Sequence, residues 1–289
     1  MASNMIDPYD YSYAVKRLRA FFENRGFIEV HTQSRLSILA ACEDPRTIAT
    51  YNYGGQLWPL PQTGQMWLEH ELLTNPDAPG FFCISTSFRN EPNPVPGRHD
   101  LIFPMFEFET RGGIDELRAL EEDLLVYLGF GAKASFVHQT YLDTAAAFEV
   151  KEITGDIETR IDQTHGPVFF LEHFPIYTSP FWNMRTEGDT ANKIDVILHG
   201  IETIGSAERS SDPVKMRELF HSISNGMYAD ILFAQFGRER VQRELDDFLS
   251  HDFFPRFGGG IGLTRMMRAM KLSGLVPNRD AQNMAIAAE

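Results

Sequence analysis

Residues 87–109 read SFRNEPNPVPGRHDLIFPMFEFE, and the fold turns on how this stretch is read. It opens at the end of a strand-like apolar run, Gly80 to Phe88, and closes in a second, Leu101 to Thr110. The intervening RNEPNPVPGRHD holds three prolines and one glycine, too long and polar for a tight turn. The two runs therefore read as antiparallel strands joined by a long hairpin loop. Arg89 stands at one strand end and Arg98-His99 across the loop, so guanidinium forks can grip an anion from two sides. Phe103, in the same hairpin, offers a ring on which a base can stack. Taken alone, the segment fits a solvated hairpin with incidental charges equally well.

Outward from the hairpin, Tyr13 to Asn24 carries Val15, Leu18, Phe21 and Phe22 on one helical face. Gly26 stops that helix and Phe27 to Val30 follows as a strand. Cys42 to Tyr53 is polar and turn-rich, suiting a mobile loop over a site. Helices are expected at Met66 to Leu73, Ile114 to Leu128, Pro213 to Ser222 and Arg238 to His251. Strands are expected at Val168 to Phe174, Ile194 to Leu198 and Thr203-Ile204. The run Phe254 to Gly262 leads into an apolar helix ending at Lys271. Hairpins and long crossings, not alternating strand and helix, imply an α+β fold with a largely antiparallel sheet flanked by helices.

The 289 residues are 43% apolar and 23% charged, ordinary for a globular chain. Asp and Glu number 40 against 26 Lys and Arg, and the net charge of -14 repels a phosphate backbone. DNA is not an expected partner. Two cysteines, Cys42 and Cys83, make neither a disulfide framework nor a four-thiolate zinc site. The start MASNMIDPYDYSY is polar and no apolar run approaches the 18 or so residues of a membrane span, so a cytoplasmic protein without membrane contact is expected.

Two more constellations carry chemistry. Residues 258–265, GGGIGLTR, place glycines where backbone can approach a ligand closely, with Arg265 just inside a helix start. The run lacks the Gly-Lys-Ser/Thr ending of a Walker loop. Asp195 and Glu202 flank a turn at Gly200, with Arg209 beyond, and two carboxylates in one site can hold a magnesium ion that bridges phosphates. Judged singly, each segment fits a structural role.

Together, and in this order, the segments resemble the catalytic core of the class II aminoacyl-tRNA synthetases, in its aspartyl/asparaginyl branch. Residues 87–109 are similar to the family's Phe-Arg-x-Glu…Arg-His motif, and 258–265 to its Gly-x-Gly-x-Gly-x-x-Arg motif. DVILHGIETIGSAER (195–209) resembles the branch's Asp…Gly-x-Glu…Arg segment, and RLRAFFENRGFIEV (17–30) the motif that forms the family's dimer interface. The resemblance implies a six- to seven-stranded sheet, a single catalytic domain over 1–289 and a homodimer. It implies ATP as cofactor, with Arg89 bridging the amino-acid carboxylate and the α-phosphate. Glu91 would meet the adenine side, Arg98 and His99 the γ-phosphate, and Phe103 and Arg265 would sandwich the adenine. Asp195 and Glu202 would hold Mg2+ and phosphate oxygens. The reaction implied is attack of a carboxylate on the α-phosphorus, giving an acyl-adenylate.

PQTGQMWLEHELL (61–73) is similar to the stretch that lines the family's amino-acid pocket. The resemblance puts Thr63 and Gln65 at the α-amino group. Leu68 replaces the lysine of aspartyl enzymes, and Glu69 matches a glutamate of asparaginyl ones. Glu69 beside Arg209 would suit a carboxamide better than a second carboxylate. Glu43 would close over the amino group. Departures are the HTQSR (31–35) where the first motif has proline and Ile102 where a glutamate precedes the adenine-stacking ring. No anticodon-binding domain is expected, since only 12 residues precede Tyr13, and tRNA is then not the expected acceptor. Ammonia or a small amine is, as in asparagine synthetase-like amide formation. The alternatives are a truncated synthetase charging an RNA or protein, and a non-catalytic subunit sensing an amino acid or nucleotide.

Overall fold

The protein is described by a computed structural model covering residues 5–32, 36–40, 44–98 and 100–277. Helix α1 (Pro8–Glu23) starts where the Asp7 carboxylate accepts from the amides of Tyr9 and Asp10. It is followed by β1 (Ile28–Glu29), α2 (Ser37–Ala40), and a ribbon of β2 (Thr50–Tyr53) with β3 (Gln56–Pro59). The ribbon and a short turn at Pro45–Thr47 replace much of the loop expected over Cys42 to Tyr53; Cys42 and Glu43 lie outside the described residues. Next come α3 (Gln65–Thr74), β4 (Phe81–Phe88), β5 (Ile102–Arg111) and α4 (Ile114–Leu128). The middle of the chain forms β6 (Val137–Thr140), α5 (Tyr141–Ala147), α6 (Gly155–His165) and β7 (Val168–Pro175). Then follow β8 (Thr186–Glu187), β9 (Thr190–Leu198), β10 (Ile201–Arg209), α7 (Pro213–Ser222), α8 (Met227–Phe236) and α9 (Arg238–Leu249). The last two elements are β11 (Arg256–Gly262) and α10 (Leu263–Leu272).

Among the described residues the main sheet has nine strands, in the order β1-β4-β5-β11-β10-β9-β7-β6 with β8 beside β9. That exceeds the six or seven expected; β8 is two residues long and β6 four, too short for a readable alternation. The sheet is largely antiparallel; the parallel pairs, β1 with β4 and β6 with β7, lie at its two edges.

Pairing register divides the sheet into two faces, because residues directly opposite one another point to the same side. One face carries Phe82, Phe106, Phe108, Phe257, Ile261, Ile194 and Val196, all at most 2% exposed. Helices α1, α4 and α10 cover it with Leu18, Phe22, Leu124, Met266 and Met270. Phe82 and Phe106 stack at 5.1 Å, and Phe22 packs on both. This face is the main hydrophobic core. The opposite face carries Glu107, Glu109, Arg256, Arg209 and Asp195, aligned by the pairs Glu107↔Gly260, Glu109↔Gly258, Arg209↔Arg256 and Asp195↔Gly205.

Candidate active site

The β4–β5 hairpin delivers Arg89 just past the end of β4, where its amide donates to the Leu101 carbonyl at 2.8 Å. Its guanidinium lies 5.9 Å from the centre of the Phe103 ring. Arg265, in the first turn of α10, donates to the backbone carbonyls of Glu202 (2.7 Å) and Arg98 (3.2 Å), tying hairpin loop to β10. A cavity of about 240 Å³ opens here, walled by Arg89, Glu91, Arg98, Phe103, Glu202 and Arg265. The expected nucleotide-binding side chains thus line one chamber, apart from His99, which lies outside the described residues. Arg98 is held by Glu158 of α6, Nη2 to Oε2 at 2.5 Å, and by the Gly200 carbonyl at 3.3 Å. Burial, with Glu202 nearby, pushes the Glu158 carboxyl above its usual range.

A second chamber of about 190 Å³ adjoins the first and shares Arg89, Met105, Glu202, Gly205 and Gly260 with it. Thr63, Gln65 and Arg209 are on its wall. Thr63 Oγ1 and the Gly64 amide both donate to the Glu107 carboxylate, as does Ser85 Oγ, so Glu107 fixes the turn that leads into α3. Arg209 reaches Gln65 Oε1 at 2.8 Å and both oxygens of Glu109 at 3.1 Å.

Glu69 lies near Arg209 but does not pair with it as expected. It is 1% exposed, accepts from Arg256 Nε at 2.9 Å and from Asn183 Nδ2 at 2.6 Å, and is absent from the chamber wall. The register supplies the reason: Arg209 and Arg256 are paired across β10 and β11, and two buried guanidinium groups each need a carboxylate. Glu109 serves the first and Glu69 the second. Burial pushes the Glu109 carboxyl up to about 7 against the pull of Arg209.

The glycines of β11 make room chiefly for these side chains. A Cβ on Gly258 would overlap the Glu109 carboxylate, and one on Gly260 would meet Gln65 Nε2 and Met105 Cε at 2.7 Å. The hairpin between β9 and β10 turns at His199 and Gly200, both with positive φ (48° and 73°). A bulge between Glu202 and Ile204 then returns Glu202 to the face of Asp195 and Gly205. Asp195 Oδ1 and Glu202 Oε1 come within 3.6 Å of the point a Gly205 Cβ would occupy. Lys193 Nζ is 3.2 Å from Asp195 Oδ2. Among the described residues no group of three His, Cys, Asp or Glu converges for a metal. A divalent ion here would draw its other ligands from phosphate or water.

A family model described as tRNA synthetases class II (D, K and N) matches residues 11–276. The chain belongs to this family. Its fold matches an asparaginyl-tRNA synthetase of Pyrococcus horikoshii complexed with asparaginyl-adenylate, at TM-score 0.73 and 18% identity, covering 90% of this chain and 64% of that one. It also matches the Entamoeba histolytica aspartyl-tRNA synthetase, at TM-score 0.67 and 17% identity, with 90% and 54% covered. Over 58 residues it is 31% identical to an aspartate–tRNA(Asp) ligase of Pyrobaculum aerophilum, spanning 20% of this chain and 14% of that relative. The chain thus spans less than two thirds of the length of each. Together these comparisons support the aspartyl/asparaginyl class II core within an ATP-using ligase family.

Three residues that line or brace these chambers escaped the sequence reading. Asn183 precedes β8 in a segment with no pattern, and Glu158 lies in α6, where no motif was readable. Lys193 had a usable signal, since alternation along β9 puts residues 193 and 195 on one face. No helix among the described residues is long and apolar enough to cross a membrane.

Proposed function

We propose that the protein activates an asparagine-like amino acid with ATP, forming an acyl-adenylate and pyrophosphate, and passes the acyl group to an amine. The observation that carries the reading is the pair of chambers joined at Arg89, one bracketed by Phe103 and Arg265, the other floored by Arg209. A nucleotide in the first and an amino acid in the second bring carboxylate and α-phosphate together beside Arg89. That guanidinium offsets the charge of both reactants and aligns them, the main requirement of phosphoryl chemistry. Asp195 and Glu202 would hold a magnesium ion, which when bound neutralises phosphate charge.

Arg209 and Asn183 favour a carboxamide. Asn183 lines the chamber, is 1% exposed and gives its NH2 to Glu69, and its buried carbonyl oxygen has no hydrogen-bond partner. An oxygen acceptor and a guanidinium donor complement the NH2 and C=O of a side-chain amide. Glu69 then acts through Asn183, fixing which way its amide faces. Pyrophosphate exchange with each of the twenty amino acids tests the reading: asparagine should exchange fastest, and exchange with none would overturn it.

Transfer to an RNA is the second reading, favoured by the match to an aspartate–tRNA ligase. Radiolabelled asparagine retained on added tRNA would establish it. A homodimer through α1 and β1 belongs to the same proposal, since β1 is an edge strand with Ile28 47% exposed.

A further inference from the structure

Helix α6 belongs to none of the motifs that mark the site, yet one of its carboxylates holds two residues of the nucleotide chamber. Glu158 Oε2 accepts from Arg98 Nη2 at 2.5 Å and from the Glu202 amide at 3.0 Å, and both partners wall that chamber. Arg265 fastens the same two residues by their carbonyls, Glu202 at 2.7 Å and Arg98 at 3.2 Å. Glu202 is thus gripped by its N–H and its C=O, and Arg98 by its guanidinium and its C=O. The niche on α6 is shaped for that guanidinium. Gly155, the first residue of the helix, lies against it, and a Cβ there would come within 2.6 Å of Nε, 2.7 Å of Cζ and 2.9 Å of Nη2. Gly200, whose carbonyl takes Arg98 Nη1 at 3.3 Å, packs on the same helix: its Cβ would meet Thr159 Cα at 3.1 Å. Hairpin loop, α6 and the β9–β10 turn therefore converge on one carboxylate, through bonds that a charged acceptor strengthens.

We propose that Glu158 is a positioning residue: with Gly155 it forms a clasp that fixes Arg98 and Glu202 where the phosphates of a nucleotide meet them. Glu158 is not on the wall of the nucleotide chamber and acts through these two residues. The proposal rests on the reading of that chamber as the ATP site and adds the element that orders it. Groups fixed before binding lose less freedom on association, so the clasp is read as affinity. On the same reading Arg98 and Glu202 serve the phosphates, whereas Phe103 and Arg265 bracket the adenine. Loosening the clasp therefore weakens a triphosphate more than a monophosphate.

The test uses the full chain with magnesium, titrated by calorimetry with β,γ-methylene-ATP and with AMP, and hydrogen exchange of the 89–98 backbone without ligand. Gly155→Ala displaces the Arg98 guanidinium alone: Gly155 has no positive φ, and alanine favours the helix it starts. It should weaken β,γ-methylene-ATP roughly tenfold, leave AMP within about twofold, and speed exchange in the loop. Glu158→Ala also releases the Glu202 amide and should cost more than Gly155→Ala. Glu158→Gln keeps an oxygen acceptor for both bonds and should recover most of that loss, which also guards against a misfolded alanine variant. Loop exchange or triphosphate affinity unchanged in both alanine variants, or an equal loss for the two nucleotides, would overturn the clasp. A wild type that binds neither nucleotide, with loop exchange still faster in both alanine variants, would overturn the ATP site and leave Glu158 as the brace of the loop.

Discussion

The two faces of the central sheet solve opposite problems with the same strands. On one, phenylalanines from β4, β5 and β11 stack under α1 and α4, and burial of apolar surface holds the fold. On the other, β4 presents Cys83 and Ser85, β5 Glu107 and Glu109, and β11 Gly258 and Gly260, and two arginines with two glutamates are nearly sealed from solvent. Charges buried this way contribute little net stability, since desolvation offsets their attraction. What they supply is position: Glu109 holds Arg209 at the amino-acid chamber, and Glu107 holds the turn at Thr63-Gly64. One face makes the sheet, and the other uses its rigidity.

The largest effects should separate the faces cleanly. Phe106→Ala, on the apolar face, is expected to cost about 3–5 kcal/mol in urea unfolding. Arg89→Ala, on the polar face, should lower pyrophosphate exchange about 10³-fold with its urea midpoint unchanged. An Arg89 variant that unfolds early would erase the distinction. Glu69→Ala strands Arg256 as a buried unpaired charge and should cost about 3–5 kcal/mol, whereas Glu69→Leu with Arg256→Met should recover most of it. Unfolding curves that rank the double variant below the single one would mean the pair itself stabilises the fold.

Smaller effects sharpen the contrast. Asn183→Leu removes the free acceptor, and asparagine should lose about 1–3 kcal/mol of binding while ATP binding is unchanged, by calorimetry. Glu121 of α4 is a carboxyl on the apolar side, fully buried, and burial pushes its pKa well above the usual value of 4.5. An acid raised in this way stabilises the fold fully below its unfolded pKa and loses that contribution as pH rises through the folded one. Thermal melts from pH 5 to 9 should therefore show the wild type losing ground steadily to Glu121→Gln. A constant difference would place Glu121 in water.

Much of this contrast was legible in the sequence. The strand-like runs FFCISTSF and IFPMFEFETR on either side of a long loop exposed β4 and β5, and α4 and α7 begin and end where their patterns predict. What escaped were elements whose pattern is short or one-sided. β6 is four half-buried residues and α8 is apolar on most sides, so neither shows a clear period, while the apolar face of α6 is only Ile157 and Ile161. Motif spacing singled out Arg89, Phe103, Glu202 and Arg265, which the fold brings to one chamber. It failed for Glu69, because spacing gives a position and not the direction of a side chain. That direction is set by Arg256, 187 residues away.

The most direct test of the two-chamber account is a crystal structure with a non-hydrolysable sulfamoyl analogue of asparaginyl-adenylate. Adenine density between Phe103 and Arg265, with the side-chain amide on Arg209 and Asn183, is the predicted result. Density with the adenine elsewhere, or an amide end remote from Arg209, would contradict it.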